Sequence, residues 1–380
     1  MYFRLNPECY LIRGEMCGAI YDLIDEKVYA LDQHEAKLLT SCEKNNAVQG
    51  DEKYLTELEM LRLGKFCQNK IYVQKLRAGS PIREIQSEPP SLYRAFLEIN
   101  NICNRNCWFC GYNGVKRSLG CMGCNKWNEN GKTLSAAKWK AIIDDLSDLE
   151  CKDIFIIGGD LTLVWDKAIN ILNYANGKFR NIYMTLHQQS LSSNIVNDLT
   201  NKVKLIIQTE SLNTLQYKDS SILMVMKPQN WIDSDNTESK NIKIDFAIKD
   251  TNSLSNDMPI MSKGKILPVD ACQFIDNIEY HPCLGHSLAI CYNGNVIPCP
   301  MMRNHTFGNV SNEQLHTVFE NSWEKIDKIW KLNLDKIEKC TCCEFRYTCT
   351  DCRALEENLT GKITGKSLCS YNPKKGEWLQ

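Results

Sequence analysis

Cys103, Cys107 and Cys110 stand in the stretch CNRNCWFC with the spacing C-x3-C-x2-C. Three thiolates so spaced can hold three corners of a [4Fe–4S] cube and leave the fourth iron without a protein ligand, open to chelate a small molecule. The alternative is structural zinc with a distant fourth ligand. Zinc sites usually pair their cysteines as C-x2-C units, which the x3-then-x2 spacing fits poorly. Further along, DIFIIGGD ends in Gly158, Gly159 and Asp160. Glycines let a backbone come close to a ligand, and a carboxylate can accept an ammonium group.

A second group of cysteines lies near the carboxyl end. Cys283, Gly294 and Cys299 form C-x10-G-x4-C; Cys340, Cys343, Cys349 and Cys352 form C-x2-C-x5-C-x2-C; Cys369 follows. Units of this kind suit both iron–sulfur clusters and four-cysteine zinc sites. Cys121 and Cys124, in GCMGCN, make one more C-x2-C. They fit a further cluster, a redox pair or plain loop thiols. Cys9, Cys17, Cys42, Cys67 and Cys151 lie outside any paired spacing and read as packing residues.

Twenty cysteines in 380 residues are many. The amino end, MYFRLNPECYLIRGE, lacks the basic-then-apolar layout of an export signal, and no run of about 18 apolar residues occurs. The expected location is the cytoplasm, where close-spaced cysteines point to metal rather than to disulfides. The net charge is −1 with both signs interspersed, so neither nucleic acid nor an anionic membrane is an expected partner.

The elements that must position these residues follow from apolar patterning. YRAFLEI, DIFIIGG, NIYMTLH, VKLIIQT, ILMVM and IKIDFAI are short β-branched runs suited to buried parallel strands. Helical or loop segments such as SAAKWKAIIDDLSDLE separate them, which predicts repeated β-then-α units. Six strands are too few for an eight-fold barrel, and the polar stretch SDNTESKN suggests that the last helices are reduced. The cysteine motif directly follows the first strand, at the strand end where parallel β/α sheets place their sites. Before residue 80, CYLIRG, AIYDLI and KVYAL read as strands of a small sheet. DQHEAKLLTSCEKN with Asp32 as N-cap and EKYLTELEMLRLGKF read as helices, and IYVQKL as a closing strand. RAGSPIREIQSEPPS has the composition of a linker. The last 110 residues hold ten cysteines and read as a loop-rich module stapled by metal, crossed by the amphipathic stretch NEQLHTVFENSWEKIDKIWKLN.

The three-cysteine motif, with the aromatic Phe109 just before its third cysteine, resembles the signature of the radical S-adenosylmethionine (AdoMet) superfamily. The resemblance implies that the open iron binds the amino and carboxylate groups of AdoMet. One electron from the cluster then cleaves a carbon–sulfur bond to give a 5′-deoxyadenosyl radical that abstracts hydrogen from the substrate. Gly158, Gly159 and Asp160 fall where that family has two glycines and a Glu against the AdoMet amino group. Here an Asp stands in for the Glu, about one methylene shorter in reach, and no Pro follows. Gln208 and Glu210 at the fourth strand's end would reach the ribose, or are solvated. Met224 and Met226 on the fifth fit that site or the core.

The second cysteine group resembles the SPASM domain of radical AdoMet enzymes that modify peptides and proteins. It departs from that pattern in closing with C-x2-C where C-x3-C is usual. CEFRYTCTDCRA is similar to the variant found in peptide maturases encoded with ATP-grasp ligases. Together the two resemblances cover roughly residues 92–375. They imply two auxiliary [4Fe–4S] clusters. One would use Cys283, Cys299 and Cys352, with its fourth ligand open between Cys272, Cys291 and none. The other would use Cys340, Cys343, Cys349 and Cys369, leaving Cys342 spare. Three strands followed by helices before a maturase barrel resemble the winged-helix peptide-recognition element of ribosomal peptide modification. That element is similar to the peptide chaperone of pyrroloquinoline quinone biosynthesis and binds a leader as an added strand. A cap over the barrel is the alternative.

The expected fold is thus α/β: a winged-helix-like peptide-recognition domain (1–80), a linker (81–91), a partial (β/α)6 radical AdoMet barrel (92–265) and a loop-rich SPASM domain (266–380). The expected function is modification of a ribosomally synthesised precursor peptide through hydrogen abstraction, ending in a thioether or carbon–carbon crosslink. The precursor leader and an external one-electron reductant are the implied partners. Alternatives are a maturase of a folded protein, such as a sulfatase, and a degenerate, non-catalytic peptide-binding iron–sulfur protein.

Overall fold

A computed structural model describes residues 1–76, 92–199, 201–211, 221–228, 241–248 and 266–378. At the amino end, β1 (Tyr2–Leu5) is followed by an antiparallel meander of β2 (Cys9–Arg13), β3 (Gly18–Asp22) and β4 (Lys27–Leu31). Helix α1 (Gln33–Glu43) begins at a reciprocal cap. The Asp32 carboxylate accepts from the Glu35 N–H, and the Glu35 carboxylate accepts from the Asp32 N–H, both at 2.8 Å. Helix α2 (Glu52–Met60) is shorter than its pattern predicts. The GKF that ends that stretch lies in strand β5 (Gly64–Cys67), antiparallel to β1. The ladder to β1 wins over local helix propensity there, with Phe3 and Leu5 buried beneath it. IYVQKL forms no strand. Its end is tied to the start of β2 by single bonds, Leu76 N–H to the Pro7 carbonyl at 2.8 Å and Lys75 Nζ to the Cys9 carbonyl at 2.8 Å. The expected linker, 81–91, lies outside the described residues.

All six predicted central runs are strands: β6 (Arg94–Glu98), then, after the short β7 (Lys116–Arg117), β8 (Asp153–Ile157), β9 (Asn181–His187), β10 (Lys204–Thr209), β11 (Ile222–Pro228) and β12 (Ile242–Ile248). They pair in parallel and in chain order, as successive β-then-α units require, and β7 adds antiparallel to the outer edge of β12. Helices α3 (Ala136–Asp148), α4 (Trp165–Ala175) and α5 (Ser193–Leu199) fill the first connections. Trp139, Ile142, Ile143 and Leu146 recur at three- and four-residue spacing on α3 and bury against Leu97, Ile154, Ile156 and Met184 of the strands. The stretch SDNTESKN lies largely outside the described residues.

The sheet continues beyond residue 265. After helix α6 (Ala271–Glu279), β13 (Ser287–Ile290) pairs parallel with β6, and β14 (Asn295–Ile297) and β15 (Gly308–Asn309) extend that edge antiparallel. The amphipathic stretch is one helix, α7 (Leu315–Trp330), whose Val318, Phe319, Ile326 and Trp330 enter the same core as the barrel strands. The remainder is loop-rich, with α8 (Glu338–Thr341), α9 (Arg353–Thr360) and a two-strand ladder of β16 (Tyr371–Asn372) and β17 (Glu377–Trp378).

Among the described residues, the amino-terminal sheet packs on the carboxyl-terminal module. Ala19 and Tyr21 of β3 pack with Phe274 of α6 and with Phe345, Tyr347 and Tyr371. The Tyr21 hydroxyl donates to the Glu344 carbonyl at 2.9 Å, Arg346 donates to the Arg13 carbonyl at 3.1 Å, and the Glu15 N–H donates to the Cys342 carbonyl at 3.0 Å. The partner of this face is therefore the cysteine-rich carboxyl-terminal module. No helix among the described residues is long and apolar enough to cross a membrane.

Candidate metal centres

Strand β6 ends at Glu98, and the chain turns through Asn100 into the cysteine loop. Strand β8 ends at Ile157, directly before Gly158, Gly159 and Asp160. The two loops are zipped together. The Gly159 N–H donates to the Asn100 side-chain oxygen at 2.8 Å, the Asp160 N–H to the Ile102 carbonyl at 2.7 Å, and the Asn100 amide to the Asp160 carbonyl at 3.0 Å. A Cβ on Gly159 would stand 2.2 Å from the Ile102 carbonyl oxygen, so this approach requires glycine. Gly158 accepts the Asn125 N–H at 2.9 Å.

One cavity results, at the carboxyl ends of the parallel strands. Its lining includes Cys103, Cys107, Phe109 and Cys110 from the loop and Gly159 and Asp160 from the end of β8. His187 from β9 and Gln208 from β10 complete it, together with Arg105, Cys124, Asn125 and Lys126. Sulfur is served by backbone donors: the Arg105 N–H lies 3.4 Å from the Cys103 sulfur, and the Lys126 N–H 3.5 Å from the Cys110 sulfur. Burial and the neighbouring thiols push Cys107 up to about 11, and burial also raises Cys103. Thiols so raised ionise only beside compensating positive charge, which a metal centre provides. Burial pushes the thiol of Cys124 up to about 12.

The Asp160 carboxylate is already engaged. It accepts from the Thr162 N–H at 3.1 Å and the Thr162 hydroxyl at 2.6 Å, meets Ser190 at 3.2 Å, and faces the Arg105 guanidinium at 3.4 Å. His187 accepts the Gln189 N–H on Nδ1 at 3.2 Å, which puts its proton on Nε2. That atom is buried without a hydrogen-bond partner, and burial together with the Arg105 charge lowers the histidine pKa. Phe109 is buried, lies parallel to His187 at 6.4 Å, and packs with Val115, Met226 and Ala247. Glu210 accepts from the Trp108 indole at 2.9 Å, and Met224 is core. Cys124 stands in the C-x2-C of GCMGCN, but Arg105, His187 and Gln208 carry no spacing signal. Their shared mark in the sequence is position, on the cysteine loop or at a strand's carboxyl end.

Two further cysteine sets converge in the carboxyl-terminal module. Cys340, Cys343, Cys349 and Cys369 line a common cavity with Lys366, whose Nζ lies 3.5 Å from the Cys349 sulfur. Burial pushes Cys340 up to about 12 and Cys349 to about 11, and Lys366 opposes both shifts. Cys342, spare in the spacing, faces outward beside Glu15. The second set is Cys283, Cys299 and Cys352. Cys299 and Cys352 pack in one cluster with Leu284 and Ala354, and Cys121 joins that cluster from the barrel loop. The Cys121 thiol is in hydrogen-bond contact with Cys299, which lowers the pKa of the first and raises that of the second. Asp351 stands between the two sets. It pairs with Lys366, with Arg353 and, at 3.0 Å, with His281, whose Nδ1 accepts the Cys283 N–H at 3.0 Å. Among the described residues no three His, Cys, Asp or Glu side chains are grouped closely enough to share one metal ion. The four thiols around the Cys340 cavity suit an iron–sulfur cluster in preference to one zinc ion.

Residues 282–344 match SPASM, an iron–sulfur cluster-binding domain. No curated protein matches the chain. Among solved structures, the chain is similar to BtrN in complex with AdoMet and 2-DOIA, at 16% identity over 69% of this chain and 92% of that one, with a TM-score of 0.38. It is also similar to Streptococcus suis SuiB. SuiB bound to precursor peptide SuiA matches at 14% identity over 93% and 96% of the two chains, TM-score 0.45, and SuiB bound to S-adenosylmethionine at 12% over 93% and 96%, TM-score 0.44.

Proposed function

We propose that this chain is a radical AdoMet enzyme that modifies a ribosomally made precursor peptide. The observation that carries this reading is the meeting of Cys103, Cys107 and Cys110 with Gly159, Asp160 and His187 in one cavity at the strand ends. The donor set fits a cluster held by three thiolates, with Cys103, Cys107 and Cys110 as its ligands. When bound, that cluster and AdoMet supply a 5′-deoxyadenosyl radical that takes a hydrogen atom from the substrate.

The chain's own groups bind, orient and exclude water. The backbone at Gly158 and Gly159 and the Asp160 carboxylate border the side where an amino-acid moiety would lie. Arg105 orients that carboxylate and presents a guanidinium to an anionic group. His187 offers an Nε2–H donor. Phe109, Met226 and Ala247 keep the floor apolar. The auxiliary sets would accept or relay the electron that remains after hydrogen abstraction, so a net two-electron crosslink, to sulfur or to carbon, suits the arrangement. An external one-electron reductant starts the cycle. The leader would add to β4, which pairs with β3 alone among the described strands and leaves an edge open. The Arg105 charge and the Thr162 and Ser190 donors that already engage Asp160 favour a second reading, a peptide-binding iron–sulfur protein without catalysis. Incubating the anaerobically reconstituted protein with AdoMet, dithionite and the peptide encoded beside its gene tests the two. The first reading expects 5′-deoxyadenosine and a peptide lighter by two hydrogens; binding without AdoMet cleavage sustains the second.

A further inference from the structure

We infer that Cys121, on the barrel's cysteine loop, is the fourth protein ligand of the centre formed by Cys283, Cys299 and Cys352. The inference rests on the iron–sulfur reading of the carboxyl-terminal module and supplies a ligand that spacing leaves open. Three observations converge on it. The Cys121 thiol meets Cys299 directly. Cys121 also packs in the cluster that holds Cys299 and Cys352. Finally, the loop is pressed onto the module at this point: a Cβ on Gly120 would lie 2.8 Å from the Met301 sulfur.

The rival cysteines look elsewhere. Cys291 is buried beside the Glu98–Arg303–Glu129 charges, in a core cluster that Cys121 also touches but that holds neither Cys299 nor Cys352. Cys272 lies on α6, outside the cluster around Cys299. The loop is also built to hold Cys121 still. The Thr185 hydroxyl of β9 donates to the Met122 carbonyl at 2.6 Å, and the Asn125 amide donates to the Gly120 carbonyl at 2.8 Å. Cys121 and Cys124 therefore point to different sites, Cys124 into the cavity of Cys103 and Cys107 and Cys121 into the module. A centre ligated from both sides would lock the barrel loop to the carboxyl-terminal module and fix the spacing between the two metal sites.

The test uses the full chain in a background where Cys103, Cys107 and Cys110 are all changed to Ala, so that only the carboxyl-terminal centres are counted. That background should hold about eight irons, two cubanes. Adding Cys121→Ala should lower iron by at least one atom per chain and produce the oxidised three-iron signal in low-temperature electron paramagnetic resonance. Adding Cys121→Ser, which keeps an oxygen donor and the packing volume, should retain all about eight irons but move the midpoint potential of one centre. The Ser variant carries the test should the Ala variant not fold. Unchanged iron, spectra and potential in the Cys121 variants would overturn the assignment. So would loss of iron from Cys272→Ala or Cys291→Ala in their place, or a Cys121–Cys299 disulfide in a fully loaded background. Stoichiometric zinc in the background would show that the cluster reading itself fails, and the ligand assignment with it. Peptide modification is not measured, so the outcome is independent of the proposed reaction.

Discussion

Arg117, on the short strand inside the cysteine loop, pairs with Asp245 of β12 at 2.6 Å, and both side chains are wholly buried. The guanidinium also donates to Gln208 of β10 at 2.8 Å, to the Asn125 side chain at 3.1 Å and to the Cys124 carbonyl at 3.0 Å. One side chain thus ties the loop that begins at the first parallel strand to the fourth and the sixth. Removing one member of a buried, hydrogen-bonded pair leaves a desolvated charge and costs about 3–5 kcal/mol. Arg117→Met and Asp245→Asn should each destabilise on that order in denaturant titrations. The double variant Arg117→Met/Asp245→Leu should recover part of the loss, because neither charge is then stranded. Single variants within about 1 kcal/mol of the parent would mean that the pair does not hold the loop.

The cysteine loop and the carboxyl-terminal sets share no proposed ligand other than through Cys121. Changing Cys103, Cys107 and Cys110 together to Ala should abolish reductive cleavage of AdoMet and leave iron in the carboxyl-terminal module. The readouts are 5′-deoxyadenosine by liquid chromatography and iron per chain. Undiminished 5′-deoxyadenosine would remove these three residues from the chemistry.

Metal content separates clusters from zinc across the chain. Anaerobic reconstitution should give about 12 irons, three cubanes of four. Plasma mass spectrometry that finds about four irons with stoichiometric zinc would reassign both carboxyl-terminal cysteine sets, residues 283–369, as structural zinc sites.

Peptide recognition is best probed without truncation. Deleting residues 1–76 would uncover Phe274, Phe345, Tyr347 and Tyr371, all buried against the amino-terminal sheet. Each such side chain is worth about 1.5–3 kcal/mol of burial, so the truncated chain should lose stability as well as recognition. Ala30→Pro on the open edge of β4 is more selective, since proline removes a strand donor and blocks edge addition. Leader affinity in a fluorescence titration should fall at least about tenfold, which corresponds to about 1.4 kcal/mol. A variant that melts like the parent and still binds leader equally well would show that the peptide does not add to β4.

Local chemistry wrote much of this protein into its sequence. The six parallel strands are legible because each is a short apolar run buried on both faces over most of its length. The start of α1 is legible because its cap, Asp32 with Glu35, spans only one turn. The cysteine blocks are legible because candidate ligands from one loop keep a fixed spacing. What the sequence does not show are contacts whose partners lie far apart in the chain. The pairing of β1 with β5, the addition of β13 beside β6 and the landing of β3 on Phe274 are of this kind. So are Arg117 reaching Asp245 and Cys121 reaching Cys299. Periodicity and spacing measure neighbours along the chain. Only the closed tertiary core fixes which distant neighbours meet, and at Cys121 that decided which centre a loop cysteine faces.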